Sequence, residues 1–161
     1  MSMFFSASEV FDIAEQIERN GAEFYRKAAD TASDHRVRAL FHRLALLEQD
    51  HEVTFQELRT QLLGPTPVAD WTDADQDAVS YLRALAGAAV FGANPAVLRG
   101  GETADDVLRL AIGFEKDAIA YYAGLKEALP PGLDTAPLDA LIKEEMRHVT
   151  MLTSALTEPE R

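Results

Sequence analysis

Two stretches of the sequence decide the fold, LEQDHEVTFQEL at 47–58 and IKEEMRHVTML at 142–152. Each contains a glutamate followed three residues later by a histidine, Glu48 with His51 and Glu145 with His148. Residues with this spacing lie on the same side of an α-helix, about 60° apart around its axis. Apolar residues precede both glutamates at the four- and seven-residue spacing of a helical stripe. Each stretch therefore predicts a helix whose inward side carries a carboxylate and an imidazole.

Both stretches belong to a longer internal repeat. Adding 97 to 18, 25, 48 and 51 gives 115, 122, 145 and 148. Glu18 and Glu115 are each flanked by apolar or aromatic residues four and seven positions away on either side, so both are predicted to face the core. The repeat predicts two matching helix hairpins, each supplying half of a symmetric site. The paired positions are Glu18 and Glu115, Tyr25 and Tyr122, Glu48 and Glu145, and His51 and His148.

Helical periodicity covers nearly the whole chain and predicts an all-α fold. We expect a single domain over 1–161, with one helix hairpin at 7–63, a crossover at 64–102 and a second hairpin at 103–157. The long crossover can run from one end of a four-helix bundle to the other, as in ferritin-like topology. A short helix at about 73–91 is expected inside it, lying either across the bundle or against a partner subunit.

The buried carboxylates require a positive partner. Four of them close together repel one another and are costly to bury alone. None of the 15 Lys and Arg residues lies in the same stripes near the six side chains. Chance predicts about 0.35 Glu-x-x-His pairs for this composition, so two pairs in matching hairpins favour a real site. We therefore predict two metal ions held by Glu18, Glu48, His51, Glu115, Glu145 and His148.

Composition excludes several other classes of protein. The chain has no cysteine, which rules out disulfides, thiolate zinc sites and iron–sulfur clusters. A net charge of −12 argues against nucleic-acid binding, because phosphates would be repelled. No stretch is apolar enough for a membrane helix and no secretory signal is recognised at the N-terminus. We expect a cytoplasmic protein that binds neither nucleic acid nor membranes.

Several polar residues have a less certain place in the site. Glu144 adjoins Glu145 and is a possible additional ligand that could swing inward. Tyr25 and Tyr122 are core aromatics whose hydroxyls could also hold the glutamates in place. The remaining two histidines, and the other acidic residues of these helices, are predicted to face solvent: His35, His42, Glu15, Glu23, Asp50 and Glu52.

Four segments resemble the rubrerythrin branch of the ferritin-like superfamily: IERNGAEFYRKAA at 17–29, LEQDHEVTFQEL at 47–58, AIGFEKDAIAYY at 111–122 and IKEEMRHVTML at 142–152. The segment VSYLRALAGAAVF at 79–91 is similar to the linker region of stand-alone members. The resemblance implies a di-iron site in a four-helix bundle, assembled as a homodimer or larger homo-oligomer, that reacts with hydrogen peroxide or dioxygen.

The resemblance also implies individual roles and shows two departures. Glu18 and Glu115 would be terminal ligands, Glu48 and Glu145 would bridge the two irons, and His51 and His148 would each bind one. Full-length members carry a rubredoxin-like cysteine site that supplies electrons, which this chain lacks. They also carry another glutamate three residues after the ligand that corresponds to Glu115, where this chain has Ala118.

Together these features favour a di-iron oxidoreductase that reduces peroxide or dioxygen with electrons from an unknown external donor. Hard carboxylates and imidazoles suit iron, and manganese or zinc would fit the same ligands. Three alternatives stay open: an iron-binding protein with ferroxidase chemistry but no donor-coupled turnover, a di-iron hydroxylase of an organic substrate, and a fold in which the metals are purely structural.

Overall fold

A computed structural model describes residues 6–64, 75–87 and 98–158, and every regular element in these ranges is an α-helix. The all-α prediction is therefore confirmed for the described part of the chain, where no strand occurs. None of its helices is both long and apolar enough to cross a membrane. The five helices are α1 (Ala7–Thr31), α2 (His35–Leu63), α3 (Gln76–Gly87), α4 (Ala104–Ala128) and α5 (Ala136–Thr157).

Local sequence signals account for the helix ends. Ser6 and Glu9 form a capping box at the start of α1, and Thr103 forms another with Asp106 at the start of α4. Asp34 begins α2 by accepting hydrogen bonds from the backbone amides of the first turn. Gly64 ends α2 with φ at 60°, a backbone conformation that other residues rarely adopt. Helices α1 and α2 together span 7–63, and α4 and α5 together span 104–157, beside the 7–63 and 103–157 expected for the two hairpins.

The four long helices pack as two antiparallel pairs. Helix α1 lies along α2, and α4 lies along α5. The two pairs also touch each other, through contacts of α1 with α4 and of α2 with α5. Each helix of one hairpin thus has a neighbour in the other hairpin, so inward-facing side chains from all four can meet.

Helix α3 covers the middle of the predicted 73–91 helix. It begins at Gln76, later than expected, because Asp75 is its cap and accepts hydrogen bonds from the first-turn amides. Positions 73, 74 and 88–91 lie outside the described residues. The helix packs on α4, where Tyr81 donates a hydrogen bond to the Ala120 carbonyl at 3.0 Å. Gly124 permits this close approach, since a Cβ there would lie 2.5 Å from the Tyr81 ring.

The apolar core consists of two clusters with the polar site between them. One cluster gathers residues such as Phe11, Phe55 and Leu138, and the other gathers residues such as Phe24 and Leu152. On each long helix, the site glutamate or histidine falls between the residues that belong to the two clusters. Both clusters therefore shield the site from water along the helix axes.

Candidate metal centre

Four side chains from α2 and α5 converge in the buried space between the two apolar clusters. Glu48, His51, Glu145 and His148 each offer one nitrogen or oxygen atom, and these atoms all lie within 4.8 Å of one another. All four residues are buried. A group of this size, composition and burial can hold metal ions.

The Glu145 carboxylate lies between the two imidazoles. Its Oε1 is 2.8 Å from His51 Nδ1, and its Oε2 is 3.0 Å from His148 Nδ1. Glu48 Oε1 also approaches His148 Nδ1, at 3.0 Å. The two rings are nearly parallel, with their centroids 5.3 Å apart and an angle of 14° between their planes. Each oxygen of Glu145 thus lies beside a different histidine, so this carboxylate would be within reach of both members of a metal pair.

The remaining two glutamates complete the set from α1 and α4. Glu18 Oε2 is 3.5 Å from His51 Nδ1, and Glu115 Oε1 is 3.5 Å from His148 Nδ1. Each histidine therefore has one of these glutamates beside it at the same distance. The structure brings all six sequence-predicted residues together, and their roles as ligands stay a prediction.

Two tyrosines hold these outer glutamates, and each acts across the hairpin boundary. Tyr25 on α1 donates a hydrogen bond to Glu115 on α4, and Tyr122 on α4 donates one to Glu18 on α1. Burial, followed by the nearby carboxylates, raises the pKa of both phenols, so they keep the proton that they donate. One oxygen of each outer glutamate is thereby fixed.

Six polar atoms of the cluster have no hydrogen-bond partner although they are fully buried. Such atoms are rare in folded proteins and call for a compensating group. The short distances between imidazole and carboxylate atoms do not have hydrogen-bond geometry, so these atoms face one another without being paired. Acceptor atoms pointed into one space are what a pair of cations would satisfy. The six atoms are Glu18 Oε2, Glu48 Oε1, His51 Nδ1, Glu145 Oε1 and Oε2, and His148 Nδ1.

Without metal, protons must offset the crowding of negative charge. Burial and the other carboxylates raise the pKa of Glu48 well above its ordinary value, and burial followed by Glu18 raises that of Glu145 to about 8. Burial alone would lower the pKa of the histidines, but neighbouring carboxylates outweigh it. They raise the pKa of His51 to about 11 and that of His148 to about 9. At neutral pH the metal-free cluster therefore retains protons.

Glu144 lies outside this cluster. It is half exposed on α5, and its Oε2 is 2.8 Å from His51 Nε2, the ring nitrogen that faces away from the other glutamates. The carboxylate therefore contacts a predicted ligand from behind and does not reach the shared space. Its pairing with His51 could not be read from the sequence, because the two residues lie on different helices.

The remaining polar residues follow the sequence prediction except for Glu15 and for Glu52, whose side chain pairs with Arg19 and is only 19% exposed. His35 and His42 are exposed, as expected. Glu15 was predicted to face solvent, and this is wrong: it is almost fully buried. Arg59 on α2 explains the difference, because its guanidinium lies 3.3 Å from Glu15 Oε1 and neutralises the carboxylate.

A small residue next to the cluster was missed by the sequence analysis. A Cβ placed on Gly21 would lie 3.1 Å from Glu48 Oε2, so the carboxylate occupies space that a side chain would need. The signal was present, because Gly21 follows Glu18 by three residues just as Ala118 follows Glu115. Both repeats therefore have a small residue at this place.

Fold and site together define an all-helical protein with a buried Glu/His cluster that can bind a pair of metal ions. Comparison of the chain with family models, curated proteins and solved structures gives no match. Membership of the rubrerythrin branch accordingly remains a prediction from the sequence motifs.

Proposed function

We propose that this chain is a ferritin-like di-iron oxidoreductase that reduces hydrogen peroxide or dioxygen with electrons from an external donor. The observation that carries the proposal is the set of six buried, unpaired ligand atoms contributed by two glutamates, two histidines and the carboxylate between them. A cluster of this kind is costly to keep for stability alone, since apolar residues of similar volume would serve the core equally well or better.

The helix contacts support a ferritin-like four-helix architecture. Helices α1, α2, α5 and α4 form a closed ring of neighbours, and the connection between α2 and α4 is long enough to cross from one end to the other. In such bundles, metal sites are built from glutamates on two helices and Glu-x-x-His pairs on the other two. Glu18 and Glu115 occupy the first kind of position, and the α2 and α5 pairs occupy the second.

The donor set favours two divalent ions of intermediate hardness. Four carboxylates supply four negative charges, which two divalent cations would balance, and the imidazoles add one nitrogen ligand for each. Oxygen and nitrogen donors of this kind suit iron and manganese, and also zinc. Among these metals, iron would provide the redox chemistry that we propose, because the reduction of one peroxide to two waters takes up two electrons and two protons and a pair of ferrous ions would have two electrons available.

The protein's own residues then have defined tasks. Glu145 is placed to span the two ions, while Tyr25 and Tyr122 fix the outer glutamates in position. The apolar clusters on both sides keep bulk water away. This arrangement confines the reaction to the buried space and leaves delivery of further electrons to a separate donor.

Anaerobic loading with Fe(II) followed by peroxide tests the proposal. We expect two irons bound per chain, oxidation of both for each peroxide consumed, and repeated turnover when a chemical reductant is supplied. Glu145→Ala should abolish the reaction, whereas Glu23→Ala should not, because Glu23 is exposed and pairs only with Lys27 among the described residues. Failure of the loaded wild type to consume peroxide would remove the proposal.

An iron-binding protein with ferroxidase chemistry is the second candidate. The observation that favours it is Ala118, which is buried and offers no carboxylate where the resembled family has another glutamate. Oxidation of bound Fe(II) by dioxygen or peroxide, without turnover on addition of a reductant, would select this function over the first.

A further inference from the structure

The two histidines of the cluster are supported differently from behind. His51 directs Nδ1 towards the shared space and Nε2 towards Glu144 Oε2, 2.8 Å away. A carboxylate accepts hydrogen bonds, so this contact keeps a hydrogen on Nε2 and leaves Nδ1 as the ring nitrogen available to a metal ion. Both the orientation and the tautomer of His51 are therefore fixed by a residue that reaches the surface.

The internal repeat offers no such support to His148. The position that corresponds to Glu144 in the first hairpin is 144 less 97, which is Leu47. Leucine cannot accept a hydrogen bond, and this side chain packs against one of the apolar clusters instead. Within the described part of the chain, His148 Nε2 has no hydrogen-bond partner. The two hairpins thus repeat the residue types of the six inner positions but differ in the layer behind them.

A hydrogen-bond partner behind a ligating histidine generally affects metal binding. A carboxylate that accepts a hydrogen bond from the remote nitrogen of a ligating imidazole orients the ring and makes it a stronger donor. Loss of such a partner typically weakens metal binding by about 10–100-fold. Two metal positions of one site should therefore differ in affinity by a similar factor when only one of their histidines has such a carboxylate partner.

We propose that Glu144 makes the two metal positions unequal. It is a positioning residue for His51, and the ion bound beside His51 is held more tightly than the ion bound beside His148. Metal loading therefore proceeds in two steps, with the His51 position filled first. This inference rests on the proposed metal-binding function and concerns the order and strength of binding.

Titration of the metal-free protein with Co(II), followed by visible absorption and calorimetry, tests the proposal. We expect two resolved steps in the wild type, with the tighter one lost in His51→Ala and kept in His148→Ala. Glu144→Leu should weaken the tighter step by about tenfold or more and shift its absorption band. Glu144→Gln should restore most of the affinity, because its amide oxygen still accepts the hydrogen bond.

Two further variants separate positioning from a general effect of charge. Glu52→Gln removes a negative charge one residue from His51, where the carboxylate pairs with Arg19 at 2.6 Å, and it should leave both steps intact. Leu47→Glu supplies the missing carboxylate behind His148 and should strengthen the weaker step.

The outcomes distinguish this inference from the function on which it rests. Two equal steps in the wild type, or the same titration for Glu144→Leu and Glu52→Gln, would overturn the inequality while leaving metal binding in place. No binding of Co(II) to the wild type would overturn both.

Discussion

Tyr25 on α1 donates a hydrogen bond to Glu115 on α4, which lies 90 residues away in the opposite hairpin. Tyr122 makes the reciprocal contact with Glu18. Each hairpin thus fixes a carboxylate that belongs to the other half of the site. A substitution of the tyrosine in one hairpin should therefore weaken metal binding by the glutamate of the other hairpin.

Tyr25→Phe tests this cross-hairpin support. The variant leaves a buried carboxylate oxygen without its donor, which should reduce the free energy of unfolding of the metal-free protein by about 1.5–3 kcal/mol. It should also weaken the ion beside His148, since Glu115 lies 3.5 Å from that ring. Chemical denaturation and Co(II) titration measure the two effects.

Tyr121→Phe is the matched control for that variant. Tyr121 is also buried, and its hydroxyl donates its hydrogen to the Val10 carbonyl at 3.0 Å. Its loss should cost about 0.5–1.5 kcal/mol of stability and leave metal binding unchanged. Equal effects of the two variants on Co(II) affinity would contradict the role assigned to Tyr25.

Metal removal should lower the stability of the protein. An ion that binds only the native state adds about 2.7 kcal/mol when its free concentration is 100 times its dissociation constant. For a chain of this size each kcal/mol shifts the melting temperature by about 2–4 °C. Calorimetry of chelator-treated and reloaded samples should show a difference of about 5 °C or more, and equal melting temperatures would argue against a resident metal.

Raising the pH should widen the difference in melting temperature between the metal-loaded and the metal-free protein. Glu145 has a folded-state pKa of about 8 against an ordinary value of 4.5, so its contribution to metal-free stability is present below 4.5 and is lost as the pH rises through 8. His51 and His148, with pKa values of about 11 and 9 against 6.5, act in the same direction at higher pH. The metal-free protein should therefore become less stable on alkalinisation.

The affinity of the protein for metal should instead increase with pH, because metal ions compete with these protons for the ligand atoms. Affinity should rise between about pH 6 and about pH 8, and loading should release several protons per chain. Calorimetry in buffers of different ionisation enthalpy counts them. Metal binding without proton release would show that the cluster atoms are not the ligands.

Glu145→Ala should remove both metal ions, whereas Glu18→Ala should remove chiefly one. The reason is geometric: Glu145 approaches both histidines with its two oxygens, while Glu18 approaches His51 alone. Glu48 lies beside His148 alone, but the family resemblance implies that it also bridges, and in that role Glu48→Ala should reduce both occupancies as well. Elemental analysis after loading and desalting gives the stoichiometry, with Glu23→Ala as the variant that should keep two ions.

The helices and the convergence of the six residues could be predicted from the sequence because both depend on local spacing. Apolar stripes at three and four residues determine which side of each helix faces the core, and the offset of 97 aligns the hairpins. Contacts between helices do not follow from spacing. The sequence indicated that the Tyr25 hydroxyl could hold a glutamate, but it did not identify Glu115 as that partner.

The burial of a charged residue could be predicted only where its position in an apolar stripe placed it on the side of the helix that faces the core. Glu15 lies three residues before Glu18, so it faces a similar direction, yet only the approach of Arg59 from α2 makes its burial tolerable. In the same way, the contact of Glu144 with His51 depends on how α2 and α5 lie against each other. Such pairs are decided by the packing of helices distant in sequence.

Gly21 shows how the centre restricts residues that bind nothing themselves. The carboxylate of Glu48 occupies the volume in which a methyl group at position 21 would lie, 3.1 Å from Oε2. The size of the side chain at position 21 on α1 therefore determines whether Glu48 on α2 can keep its position. A chain that retained every coordinating side chain but placed a bulky residue at this position would displace Glu48, so an inventory of ligands alone is not sufficient to recognise a working centre of this type.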